Sequence, residues 1–269
     1  MDIRVGFATL KDKVFFVSGG NNGGLCIAKH PDTGKEYTIE EAATAPAVRI
    51  ADVRFQEDSD AATRRIIFPY RRTGGKFGLI PEDELASSFP GAYSYLVDCR
   101  SLLESRDKGK RTYEAWYAWG RTQGRDAPGP KLLTKTFSKT PQFFIDHTDR
   151  LFCNGYGLFP LRETLFSAGT DLRVIKLILE SRVMHYYAKL TAFQIDGDFQ
   201  CYQKNFIERF SIPALSSDDE ESILHLDDDT RETFIASLYA ISEADISEIL
   251  GAKRRLVRVS RMPLHVGAD

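Results

Sequence analysis

Nine consecutive residues, Trp116-Tyr117-Ala118-Trp119-Gly120-Arg121-Thr122-Gln123-Gly124, combine both tryptophans of the chain with an arginine and a glutamine. Cations flank them: Arg106, Lys108, Lys110 and Arg111 before, Arg125, Lys131, Lys135 and Lys139 after. Cationic side chains can take phosphates, and aromatic planes can lie against bases. Arg and Gln also match the guanine and adenine edges in the DNA major groove. On this chemistry Trp119, Arg121 and Gln123 are candidate base or phosphate contacts. Arg71, Arg72, Lys76, Lys131 and Lys135 are candidate phosphate contacts. The same residues have plain structural readings. So aromatic a stretch also suits a core strand followed by a basic turn, because most aromatic side chains are interior. Arg121 could then brace Trp119, and Gln123 could close a turn.

Other chemistry lacks its residues. There is no Gly-x-Ser-x-Gly elbow and no His-Glu-x-x-His. His30, His147, His185, His225 and His265 are scattered, and Cys26, Cys99, Cys153 and Cys201 lie far apart without zinc spacing. Gly19-Gly20-Asn21-Asn22-Gly23-Gly24 lacks the Lys-Ser/Thr ending of a phosphate loop and reads as a turn. Pro31-Asp32 could begin a Mg²⁺-nuclease site, but no Asp or Glu in the chain is followed two residues later by Lys. Phe68-Pro69-Tyr70 lacks the Asn and one Pro of an adenine-methyltransferase loop, so it is not assigned catalysis. No catalytic, cofactor-binding or metal-binding residue is assigned.

The chain has 269 residues, 28% of them charged, and a formal net charge of −2. That balance is uneven: residues 1–215 carry about +4, 216–248 about −10 and 249–269 about +4. A basic body fits an anionic partner. The acidic stretch Ser216–Asp229 is poor in large apolar residues and reads as a linker or exposed helix, dispensable for the body. No apolar run reaches the roughly 18 residues of a membrane span, so a cytoplasmic protein with no membrane partner is expected.

Local patterns place the elements. Strands are expected at Val14–Val17, around Ile66–Phe68, at Lys131–Thr134 and at Gln142–Asp146. Asn154-Gly155 predicts a hairpin between 150–153 and 156–159. Short helices are expected after Pro81 and over 94–105. One long helix is expected from Asp171 to about Leu190, where Leu172, Ile175, Leu179, Val183, Tyr187 and Leu190 keep helical spacing. Two short helices follow the acidic stretch, the second opened by Ser242-x-x-Asp245. The expected fold is α+β: a domain over 1–215 with a mixed or antiparallel sheet and packed helices, then a linker and small helical tail over 216–269.

The order of these segments carries a resemblance. It runs from Val5-Gly6-Phe7-Ala8-Thr9-Leu10-Lys11-Asp12-Lys13-Val14-Phe15 and Ile67-Phe68-Pro69-Tyr70 through the Trp116–Gln123 stretch. It continues with Pro141-Gln142-Phe143-Phe144-Ile145-Asp146, Asn154-Gly155-Tyr156, the 171–190 helix, and Tyr202-Gln203-Lys204 leading to Ile212-Pro213. The set resembles the TaqI-like C-terminal specificity domain of adenine-N6 DNA methyltransferases and of fused restriction–modification enzymes of the Eco57I kind. The resemblance implies sequence-specific recognition of double-stranded DNA. It also implies a separate methyltransferase catalytic domain, in cis or in trans, that binds S-adenosylmethionine and acts on a flipped adenine, in a bacterial or archaeal cytoplasm. The alternatives are a protein–protein adaptor of a restriction or phage-defence complex, and a nuclease whose active site is too dispersed to see.

Overall fold

The computed structural model describes residues 1–19, 23–61, 64–121, 123–160 and 171–242, together with Asp245, Ser247 and Ile249. The fold is α+β and divides into two compact units. The amino-terminal unit comprises Asp2–Leu133 and Asp146–Phe159. The carboxy-terminal unit comprises Met1, Thr134–Ile145 and Pro160–Asp269.

In the amino-terminal unit, β1 (Asp2–Val5) runs antiparallel to β13 (Gly155–Phe159), which also neighbours β9 (Lys131–Lys135). A second sheet has the order β12 (Leu151–Cys153), β5 (Thr44–Arg49), β6 (Arg65–Ile67), β2 (Phe16–Val17). β12 joins β5 in parallel, while β6 is antiparallel to β5 and β2. Burial explains the short central strand: Ile66 and Ile67 are both fully enclosed, as β-branched residues of an inner strand should be.

Two hairpins complete the strands, β3 (Leu25–Lys29) with β4 (Glu36–Glu40) and β7 (Tyr70–Thr73) with β8 (Lys76–Leu79). The helices are α1 (Asp12–Phe15), α2 (Gln56–Asp60), α3 (Glu82–Ser88), α4 (Pro90–Asp98) and α5 (Arg100–Glu104). Pro90 opens α4, where its missing N–H costs nothing. The Glu40 carboxylate then accepts from the backbone N–H of Gly91 at 2.9 Å and Ala92 at 3.0 Å. A side chain at Gly91 would strike the Thr38 carbonyl at 2.5 Å, so glycine lets strand and helix meet.

Two local expectations fail here. Val14 and Phe15 close the short helix α1, and only Phe16–Val17 is strand. The chain does turn at Asn154, in the left-handed region with φ 60°, but no hairpin forms. β12 pairs with β5, 104 residues earlier, and β13 with β1, 151 to 157 residues earlier, so each strand finds its partner far off in sequence rather than across the turn.

In the carboxy-terminal unit, β10 (Phe137–Ser138), β15 (Phe199–Cys201) and β14 (Gln194–Ile195) form a small antiparallel sheet, and β11 (Phe143–Asp146) leads back to the other unit. The expected 171–190 helix is two helices, α6 (Leu172–Leu179) and α7 (Arg182–Thr191). Asp171 caps α6 through Arg173 N–H at 2.7 Å. The break falls at Ser181, whose hydroxyl accepts from Met184 N–H at 3.2 Å. The helical spacing runs on past the break, but its burial does not: Leu172, Ile175, Leu179 and Val183 are buried, whereas Tyr187 and Leu190 are exposed.

Helices α8 (Lys204–Ile207), α9 (Ser217–His225) and α10 (Asp228–Leu238) follow. The acidic stretch is therefore no spacer. Ser216 and Asp219 form a reciprocal capping box that starts α9, and the Asp and Glu residues of its first turn suit the helix dipole. Ile223 is fully buried with Val174, Ile178 and Ile235 in one apolar cluster. Residues 217–238 thus pack into this unit through Ile223 and Ile235, and the unit runs through residue 215, where composition places the end of a domain. The Ser242 hydroxyl accepts from Asp245 N–H at 3.3 Å and donates to the Asp245 carboxylate at 2.6 Å; most of the helix expected after them lies outside the described residues. Among the described residues no helix is long and apolar enough to cross a membrane.

Candidate nucleic-acid interface

The Trp-rich stretch is neither strand nor helix. It is a loop whose first half is core. Trp119 is 2% exposed; its Nε1 donates to the Ile67 carbonyl at 3.1 Å, and its ring lies 4.7 Å from Phe7, 5.3 Å from Phe68 and 5.4 Å from Tyr70. Tyr117 donates its hydroxyl to the Ile80 carbonyl at 2.7 Å. Trp119 therefore serves the interior, and its expected surface contact is corrected: its ring has no open face to offer.

Arg106 holds this loop from inside. Its side chain is buried, and it donates to the carbonyls of Leu103 (2.7 Å), Thr9 (3.2 Å), Ala118 (2.6 Å) and Trp116 (2.7 Å). Burial pushes its guanidinium below the ordinary arginine value, opposed by Tyr113 and Tyr70. Carbonyl dipoles stand where a carboxylate would be.

The second half of the loop is clipped at both ends by glycine. Gly120 N–H donates to the Thr9 carbonyl at 3.2 Å and Arg121 N–H to the Ala8 carbonyl at 3.0 Å. A side chain on Gly120 would meet Leu10 at 2.3 Å; one on Gly124, whose φ is +74°, would meet the Phe7 backbone at 2.2 Å. Only glycine permits this approach. Between the clips, Arg121 and Gln123 are exposed, and among the described residues no side-chain partner holds either. Arg121 and Gln123 thus stand at the surface beside glycines 120 and 124, which lie close against residues 6–10.

Lys131 is the second correction. It is 0% exposed, and its ammonium donates to the carbonyls of Ala127 and Gly129, each at 3.3 Å, and of Thr148. Asp146, equally buried, lies 3.5 Å away. Burial alone would raise the Asp146 carboxyl. The Thr148 hydroxyl at 2.7 Å, Lys131 and Arg150 outweigh it and hold the group below the usual carboxylate range. Burial pulls the Lys131 ammonium down while Asp146 pulls it up. Three carbonyl acceptors and a carboxylate around one nitrogen decide for the charged pair. Lys131 is a buried clamp and reaches no phosphate.

The remaining cations are at the surface. Arg71, in β7, is exposed and paired with Glu84 of α3. Arg72 lies 3.4 Å from Asp126 and 5.5 Å from the Phe77 ring centre. Lys76 is exposed at the start of β8 with no ion pair among the described residues. Arg125 lies over the Tyr70 ring at 3.9 Å. The β7–β8 hairpin and the Trp-rich loop are thus neighbours, joined through Tyr70, Trp119, Arg125 and the Arg72–Asp126 pair. Lys135, in the carboxy-terminal unit, is half-buried with its ammonium 6.0 Å from the Phe144 ring centre. Pro69 and Tyr70 are buried under this cluster, so the Phe68-Pro69-Tyr70 run is spent on packing. Among the described residues no three His, Cys, Asp or Glu side chains gather as a metal site.

An α+β scaffold carrying a clipped polar loop beside a cationic hairpin is the class of protein that the geometry defines. No protein-family model matches the chain. It is similar to the type II methyltransferase M.BstVI of Geobacillus stearothermophilus, with 22% identity over 93% of this chain and 41% of that protein. It is likewise similar to the type II restriction enzyme and methyltransferase RM.Eco57I of Escherichia coli, with 22% identity over 81% of this chain and 23% of that protein. The chain is thus related to restriction–modification methyltransferases and spans less than half the length of either relative.

Proposed function

We propose that this chain recognises double-stranded DNA in a sequence-specific manner, as the specificity part of an adenine-N6 DNA methyltransferase or a fused restriction–modification enzyme. S-adenosylmethionine and the chemistry belong to a separate catalytic domain, in cis or in trans, for which this chain positions the target adenine. The observation that carries the reading is the loop held between Gly120 and Gly124: its core half is fixed by Arg106 and Trp119, and it presents Arg121 and Gln123 to solvent. Those two side chains have the donor and acceptor sets that read guanine and adenine edges. Arg71 and Lys76 supply charge for phosphates, and Arg72 braces the hairpin. The similarity to the two restriction–modification proteins supports the choice of DNA as the anion.

The test starts from a randomised duplex library, from which the 269-residue chain should enrich a motif. Arg121→Ala and Gln123→Ala should each lose about 1–3 kcal/mol of discrimination between that motif and random duplex, while keeping the wild-type fold, since neither side chain is buried. If both folded variants discriminate as the wild type does, bases are read elsewhere.

A further inference from the structure

We infer that the β7–β8 hairpin enters a groove of duplex DNA with one face only, the face that carries Arg71, Thr73, Lys76 and Gly78. The inference rests on the DNA-binding reading and deepens it. The register pairs Tyr70 with Leu79, Arg71 with Gly78, Arg72 with Phe77 and Thr73 with Lys76. Side chains alternate along a strand, so the two faces differ. One carries Tyr70, Arg72, Phe77 and Leu79 and is spent on the protein itself. Tyr70 is buried against Trp119 and Arg125, and Arg72 lies over Phe77 and beside Asp126.

The other face is open. Arg71, Thr73 and Lys76 are exposed. Opposite Arg71 stands Gly78, where an added side chain would meet nothing within 4 Å. Packing does not require glycine there, and its backbone is not in the left-handed region. What the missing side chain does provide is close access to the ribbon backbone between two cations. The tip is equally slim, a two-residue Gly74-Gly75 loop with φ of +57° and +81°, the geometry of a tight hairpin turn. Two strands about 4.8 Å apart fit a major groove about 12 Å wide.

Arg71 is available to DNA despite its partner. The Arg71–Glu84 pair is exposed, with side chains 54% and 37% accessible, and such pairs hold weakly. Glu84 is therefore a competitor that a phosphate or a guanine edge displaces.

The test is fluorescence anisotropy of the full 269-residue chain with a labelled random duplex over a salt series. Gly78→Glu should weaken binding about tenfold at low salt, by setting a negative charge between Arg71 and Lys76. Its circular dichroism and melting should stay as in the wild type, because the position is open. Arg71→Ala and Lys76→Ala should each flatten the salt slope by about one unit, whereas Arg72→Ala should leave the slope in place. Glu84→Gln should tighten binding about two- to threefold, as expected on losing a weak exposed competitor. Wild-type affinity in folded Gly78→Glu, or a slope change in Arg72→Ala without one in Arg71→Ala, overturns the inference. If the wild-type chain binds duplex through Arg121 while all hairpin variants bind normally, the ribbon alone is wrong. If the wild type binds no duplex, the DNA-binding reading falls with it.

Discussion

Asp146→Ala is expected to destabilise the amino-terminal unit by about 3–5 kcal/mol, the usual cost of stranding a buried partner charge. Lys131 is the stranded group. Its ammonium is 0% exposed, and after the change it keeps carbonyl dipoles, the repulsion of the Arg150 guanidinium and only the smaller attraction of Asp149. Arg150 also loses its carboxylate, keeping the Ser59 carbonyl at 2.8 Å. The measurement is urea unfolding at neutral pH, and a midpoint within error of the wild type would contradict the charged-pair assignment. The same carboxylate sets an acid dependence. Its folded pKa lies below its unfolded value of about 3.9, so its contribution is fully present above that value and is lost as pH falls through the folded pKa. Acid titration of Asp146→Asn should lack that part of the loss.

Arg106→Ala is expected to cost about 3 kcal/mol, because it leaves four carbonyls without their charged donor in the interior. Three of these carbonyls, on Thr9, Trp116 and Ala118, belong to the scaffold that fixes the Arg121–Gln123 display. The variant should therefore also lose sequence discrimination, even at temperatures where it stays folded. Arg106→Lys should recover only part of the stability, since one ammonium cannot span the four positions that a planar guanidinium reaches. Full stability with alanine would mean that the loop is held by its aromatic contacts alone.

The sequence makes some of this readable and hides the rest for identifiable reasons. β9, β11 and α3 are legible because their signals are local: a short apolar or aromatic run, or a proline followed by acidic residues. The α+β class follows from the same signals. The Asn154-Gly155 turn misled because strand partners are chosen by burial over the whole chain, and no local pattern records that β12 belongs beside β5. Ser216–Asp229 misled because its charge count outweighed one residue, Ile223, that fills the core. In the candidate site, aromatic and cationic residues marked the right stretch but not which side chains face inward. Arg106 and Lys131 are as cationic in sequence as Arg121. What separates them is a set of carbonyls delivered by segments elsewhere in the chain, Thr9 for one and Thr148 for the other. Two signals were nevertheless present. Lys131 follows the Ala127-Pro128-Gly129-Pro130 break and opens a strand of buried residues, and the glycines at 120 and 124 bracket the exposed pair.

Duplex binding by the intact 269-residue chain, measured across a salt series on random and library-selected duplexes, tests the central claim most directly. Expected are a dissociation constant that rises steeply with salt, as counterions released from several phosphates require, and tighter binding to the selected motif at every salt concentration. Absence of duplex binding at low salt, or an affinity indifferent to both salt and sequence, would contradict it.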